Sequence, residues 1–193
     1  MSTATAPALM TADEFYDWAN RPENADRRFE LVDGEVAEMP SPGELHGFVC
    51  WLVIRLLTEY LTRHGAGHLC TNDTGLLVAR GPDSVRGPDV MLFLDSRTID
   101  QMSPKFSERI PALIVEVRSP SDRMKQIRRR VAQSHTRGVP LVWVVEPELR
   151  AVYVYRPNEL PQILDETEDL PGNGVLPGFQ YKVAALFESP TKP

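Results

Sequence analysis

Two acidic residues stand in apolar surroundings. Asp89 follows Pro88 at the mouth of the stretch "DVMLFL", and Glu116 interrupts "LIVEV". A carboxylate taken out of water without a partner is costly, so each acid calls for a cation or a set of hydrogen-bond donors. Two such acids on neighbouring strands offer the oxygen donors that Mg²⁺ takes, with water filling its remaining positions. A cation held there can polarise a phosphate oxygen and generate hydroxide from water. The plainer alternative is a pair of solvated or salt-bridged strand ends. Directly after Glu116 the chain reads "VRSPSDRMKQIRRR", a turn leading into dense positive charge. That segment is either a solvated helix face or a set of phosphate contacts, which position a nucleic acid without reading its bases.

The elements that must carry these residues are legible from periodicity and punctuation. "TADEFYDWA" has Thr11 as N-cap and Glu14 three residues on, a capping box opening a short helix. "RFELVDGEVAEM" places Asp33-Gly34 between two alternating stretches, a tight hairpin. Phe29 and Leu31 face one way there, Glu30 and Val32 the other. "SPGELHGFVCWLVIRLLTEYLTRHG" reads as a long helix with Ser41 as cap, Pro42 in its first position and Glu44 completing the box. Leu45, Phe48, Val49, Leu52, Leu56 and Tyr60 follow its apolar spacing. "HLCTNDTGLLVARG" suggests a bent strand pair, "DVMLFL" a strand, and residues 95–111 a polar connection. "ALIVEVR" is apolar and β-branched enough for a sheet centre. "SDRMKQIRRRVAQSHTRG" reads as a helix capped by Ser121 and closed by Gly138, with Met124, Ile127 and Val131 inward. "VPLVWVVEP" and "AVYVYRP" are further strands, and a short apolar helix spans 183–187. The order predicts an α/β (α+β) fold, a mixed central sheet flanked by helices, with a right-handed crossover making the strands at 113 and 142 parallel. Residues 1–10 read as a flexible tail and 11–188 as one domain.

Composition narrows the function classes. The 193 residues carry a net charge of −6, which argues against coating nucleic acid by bulk electrostatics and leaves room for a local basic surface. Two cysteines, Cys50 and Cys70, give no disulfide framework and read as small buried hydrophobes in a reducing cytoplasm. The N-terminus lacks the pattern of a signal peptide. No apolar run is expected to reach the roughly 20 residues of a membrane-spanning helix, so no membrane partner is expected.

Taken in order, "FELVDGEVAEM", "SPGELHG", "RGPDVMLF", "LIVEVRSPSD" and "RGVPLVWVVEPELRAVYVYR" resemble the Uma-type restriction-endonuclease family of the PD-(D/E)XK nuclease superfamily. The resemblance spans about residues 10–187. It implies a restriction-endonuclease-like core, a Mg²⁺ (or Mn²⁺) cofactor, DNA as partner, and hydrolysis of phosphodiester bonds. It further implies that Asp89 and Glu116 hold the metal with the backbone carbonyl of Val117, and that Glu30 is a further acid nearby. His46 is expected to approach the acids from the long helix. A homodimer is expected, because cutting both strands of a duplex needs two sites.

The chain departs from the family pattern at the basic position. The superfamily pattern has a lysine two residues after the glutamate; here stands Arg118. The Uma-type pattern has its lysine on the following helix, nine residues after the second serine of Ser-Pro-Ser; here stands Arg130. Gln126 replaces the usual aspartate and Ser134 the usual tyrosine. A buried lysine can lose its proton and act as a base, whereas arginine stays charged. Arg118 and Arg130 can still hold a phosphate. Gln126, Arg130 and Ser134 lie four apart on one helical face, together with Arg123 and Arg137, so Arg123, Gln126, Arg130 and His46 are candidate substrate contacts. Lys125 is too far around the helix to substitute. The alternative reading is a nuclease fold that has lost cleavage and serves as a nucleic-acid-binding or regulatory module. Ser119 and Ser121 read as turn and cap, His64, His68 and His135 show no ligand spacing, and Trp51 and Trp143 read as core.

Overall fold

The structure, a computed structural model, describes residues 9–120, 122–172 and 174–189. Most of the expected tail, residues 1–8, and the expected cap Ser121 lie outside the described residues. Met10, by contrast, is tied down, its N–H donating to the Gly34 carbonyl at 2.9 Å.

In chain order the elements are α1 (Ala12–Ala19), β1 (Arg28–Val32), β2 (Glu35–Met39), α2 (Glu44–His64), β3 (His68–Thr71), β4 (Leu76–Ala79), β5 (Ser84–Arg86) and β6 (Val90–Phe93). After a 3₁₀ turn at Ile99–Gln101 come β7 (Leu113–Val117), α3 (Met124–Arg137), β8 (Val142–Glu146), β9 (Ala151–Tyr155), β10 (Gln162–Leu164), β11 (Asp169–Pro171) and β12 (Gln180–Lys182). A 3₁₀ turn at Val183–Leu186 stands where the terminal helix is expected.

The strands form a six-stranded mixed sheet, β10-β9-β8-β7-β6-β3, a four-stranded antiparallel sheet, β2-β1-β5-β4, and the ribbon β11-β12. The expected single sheet is thus two, and the expected strand pair at 68–80 divides between them. β5 was not anticipated, because "DSVRG" is too short and polar to show periodicity. β7 and β8 are parallel across α3, as the crossover argument requires. The Asp33-Gly34 hairpin is present, with both turn residues at positive φ (52° and 79°), the geometry a two-residue loop demands.

Period-two alternation sorts the six-stranded sheet. Val90, Leu92, Leu113, Val115, Val117, Trp143 and Val145 pack under α2 through Val49, Val53, Leu56, Leu57 and Tyr60. Met91, Phe93, Ile114, Val142 and Val144 face α3, meeting Ile127 and Val131. The small sheet turns Leu31, Leu77 and Val85 towards Phe15 of α1. Leu76 and Val78 on its other face meet α3. α3 is therefore held between the two sheets.

Several local expectations are corrected. α2 begins at Glu44 with Gly43 as N-cap, so Ser41 does not cap it and Pro42 lies outside it. α3 begins at Met124, after Arg123. Leu45, Phe48 and Trp51 are exposed, and Trp51 is not core: two residues from Val49, it lies on the side of α2 opposite the buried stripe of Val49, Leu52, Val53, Leu56 and Tyr60. Cys50 and Cys70 are only partly buried. α2 is long and apolar enough to cross a membrane by length and composition alone, yet its inner face is packed on the sheet.

Candidate active site

The β6–β7 register brings the two strand acids together. Val90 pairs with Val115, so Asp89 and Glu116 are the next facing positions. Both have the parity of Met91 and Ile114, the side that meets α3. Asp89 is fixed by the Val117 N–H, which donates to its Oδ2 at 2.7 Å. His46, in the first turn of α2, places Nε2 3.2 Å from Asp89 Oδ1. This bond raises the His46 pKa against the opposing effect of burial. The histidine is therefore more readily a cation than a free imidazole.

Glu116 meets Arg130. The guanidinium Nη1 donates to Glu116 Oε2 at 3.1 Å, and Nη2 to Glu30 Oε2 at 3.2 Å. Glu30 is buried, 3% exposed, which rules out a solvent-facing strand acid. It faces α3 because Leu31 faces α1. Its Oε2 also accepts from Arg86 Nη1 at 2.8 Å, and its Oε1 from the Gly87 N–H at 3.0 Å. Arg86 is held in turn by Gln133 Oε1 at 2.8 and 2.9 Å. Both Glu30 oxygens are thus engaged, and Glu30 acts as an anchor for two arginines rather than as an open ligand.

Burial pushes the Glu116 pKa up; Arg130 opposes this, while the charges of Asp89 and Glu30 reinforce it. Burial works against the Arg130 cation, but Glu116 and Glu30 outweigh it and hold the guanidinium protonated. Among the described residues, hydrogen bonds reach only Oε2 of Glu116. One oxygen of Glu116 remains beside a like-charged Asp89, a donor set of hard oxygens that suits a divalent cation.

The acids line a cleft of about 550 Å³ that also includes Arg28, His46, Asp73, Arg118, Asp122 and Glu146. A neighbouring groove of about 600 Å³ shares Glu30, Glu116, Arg118 and Arg130 and adds Gln126 and Arg129. Val117 lines both, though it is its N–H, bound to Asp89, that is seen engaged. Arg118 lines both grooves but is paired with the buried Glu146. Gln126 turns back to accept from the Arg123 N–H at 3.4 Å. Arg123 is exposed and lines neither groove. Arg137 does not join this face: it donates to the Leu77 and Glu108 carbonyls at 3.0 and 2.5 Å and pins a loop. Ser134 is buried, its hydroxyl donating to the Arg130 carbonyl at 2.9 Å.

Sequence reasoning missed Asp73, Arg86 and Glu146. Asp73 sits with Asn72 at positive φ in "TNDTG", a turn signal read only as part of a bent strand. It pairs with Arg28, and burial raises its pKa. Arg86 ends the unanticipated β5, and Glu146 ends "VWVVE", two positions beyond Val144, the residue that Glu116 faces across β7 and β8.

Residues 12–185 match the Uma2 family, whose description is "Putative restriction endonuclease". The chain belongs to this family. Among solved structures, a crystal structure of "a putative nuclease belonging to DUF820" from Anabaena variabilis superposes with a TM-score of 0.77 at 16% identity. The match covers 92% of this chain and 97% of that one, and it shows the shared nuclease fold. Comparison with curated proteins gives no match. Within this Uma2 protein, no lysine lines either groove among the described residues.

Proposed function

We propose that this Uma2 protein is a divalent-cation-dependent hydrolase of DNA phosphodiester bonds. The convergence of Asp89 and Glu116 in one cleft, with the Arg130 guanidinium on Glu116, supports this reading more than any other observation. Asp89 and Glu116 would hold Mg²⁺ or Mn²⁺, with the Val117 carbonyl as a further donor. The chemistry such a cation supplies is polarisation of the scissile phosphate and a lowered pKa for attacking water. Arg118 and Arg130 would neutralise phosphate oxygens, with Arg130 held in place by Glu30. Protonated His46 would hold Asp89 until a cation takes over that oxygen. Calorimetric titration with Mn²⁺ and plasmid cleavage test the proposal. Binding and cleavage should be lost in Asp89→Ala and Glu116→Ala; wild-type protein that binds no divalent cation would end it.

One observation favours a second reading, a nuclease fold that binds without cutting. The position of the expected base is held by an arginine with carboxylates on two sides. Such a group cannot accept a proton from water. DNA binding with no cleavage under any divalent cation would select this reading.

A further inference from the structure

Cys50 has no part in the proposed hydrolysis, yet it completes a set of three metal-capable side chains. His46 and Cys50 lie one turn apart on α2 and share a helix face. Asp89 enters beside them from the start of β6. Cys50 Sγ is 3.6 Å from His46 Nδ1, and His46 Nε2 is 3.2 Å from Asp89 Oδ1. One donor atom from each residue can be chosen so that all three lie within 4.8 Å of one another. Zinc binds sulfur at about 2.3 Å and nitrogen or oxygen at about 2.0–2.2 Å, so tetrahedral donors sit roughly 3.3–3.8 Å apart. From a widest separation of 4.8 Å, a side-chain shift of about 1 Å would bring the three donors into that range.

We propose that His46, Cys50 and Asp89 form a second cation site, selective for soft and borderline divalent ions such as Zn²⁺, Co²⁺ and Cd²⁺ over Mg²⁺. Sulfur and imidazole donors give the selectivity, because Mg²⁺ takes oxygen ligands. Binding breaks the Cys50 S–H bond, passes its proton to the buffer and forms a metal–sulfur bond, with no change in oxidation state. Water from the cleft, which His46 and Asp89 both line, fills the fourth position. Where the hydrolase reading holds, and this consequence rests on it, Asp89 is common to both sites. A soft ion would then withdraw one ligand from the hard-cation pair and hold the enzyme inactive.

The test is titration of the full chain with Cd²⁺, following thiolate-to-metal charge-transfer absorption in the ultraviolet. The expected result is a band saturating at one ion per chain, lost in Cys50→Ser, retained in Cys70→Ser and lost or weakened in His46→Ala. Mn²⁺ binding, read separately by calorimetry, should persist in Cys50→Ser. In Glu116→Gln, Mn²⁺ binding should be lost while the Cd²⁺ band remains, so the two proposals fail independently. If Cys50→Ser does not fold, the ¹¹³Cd chemical shift of the wild-type complex reports sulfur ligation directly. No band in the wild type, a band that survives Cys50→Ser, or a shift typical of oxygen and nitrogen donors alone would overturn the proposal.

Discussion

Replacing Arg130 by methionine should cost most where Glu116 is ionised. The guanidinium is shared by Glu116 at 3.1 Å and Glu30 at 3.2 Å. After the change Glu30 still has Arg86 at 2.8 Å and the Gly87 N–H at 3.0 Å. Glu116 has no other cation within hydrogen-bond reach among the described residues. Removing one partner of a buried ion pair costs about 3–5 kcal/mol. Side-chain exposures of 19% for Arg130 and 12% for Glu116 put the expectation at the lower end, about 3 kcal/mol. At about 2–4 °C per kcal/mol for a chain of this size, Tm should fall by about 6–12 °C. The pH dependence identifies the group responsible. Burial raises the Glu116 pKa from 4.5 to about 8, so between those limits the folded protein binds more protons than the unfolded chain. The stability this group contributes is full below about pH 4.5 and is lost as pH rises through about 8. Methionine removes the charge that holds the pKa down, so the loss continues to higher pH. The Tm difference between wild type and variant should be small at pH 5 and largest at pH 9. Under the proposed function, Mg²⁺ at a hundredfold excess over Kd should restore about 2.7 kcal/mol to the variant at high pH. Scanning calorimetry at pH 5, 7 and 9 measures all of this. A Tm difference that is the same at pH 5 and pH 9 would refute the assignment of the cost to Glu116.

The double change Arg130→Lys with Gln126→Asp should raise Mn²⁺-dependent plasmid cleavage above wild type, in a time course on supercoiled DNA; no change in rate would dismiss arginine as the limiting feature. Gly34→Ala should lower stability by about 1–2 kcal/mol in urea unfolding, since Gly34 has φ +79° and a Cβ there would lie 2.6 Å from Leu9 Cβ. Arg118→Ala should cost about 1–3 kcal/mol by the same assay, because Glu146, with 4% side-chain exposure, loses its cationic partner. His46, whose pKa the Asp89 hydrogen bond raises, contributes stability that is full below pH 6.5 and lost as pH rises through its folded value. The difference between wild type and His46→Ala should therefore be larger at pH 6 than at pH 9; equal differences would show that the 3.2 Å contact contributes nothing.

Asp89 and Glu116 were legible because an acid in an apolar, β-branched stretch breaks a pattern, and a broken pattern shows in a single sequence. The hairpin was legible because Asp33-Gly34 satisfies a backbone requirement that few residue pairs meet. Arg86 was not, because nothing local marks an arginine in "DSVRG" as buried; its partners Glu30 and Gln133 come from β1 and α3. Trp51 was misplaced for the opposite reason. Its bulk suggests a core residue, but two positions from Val49 it stands on the face of α2 opposite the buried stripe, a placement that the helical period itself gives.

Local chemistry in the chain determined the principal strands, the crossover and the two strand acids Asp89 and Glu116, since each depends on near neighbours and on a period of two or 3.6 residues. The tertiary structure decided what those acids are bonded to. Glu30 became an anchor rather than an open ligand, Arg130 came to lie between two carboxylates, and Asp89 came to stand beside His46 and Cys50 of α2. These outcomes turn on the parity of strands from two sheets and on α3 lying between them, and register between segments far apart in the chain is set by packing rather than by any local signal.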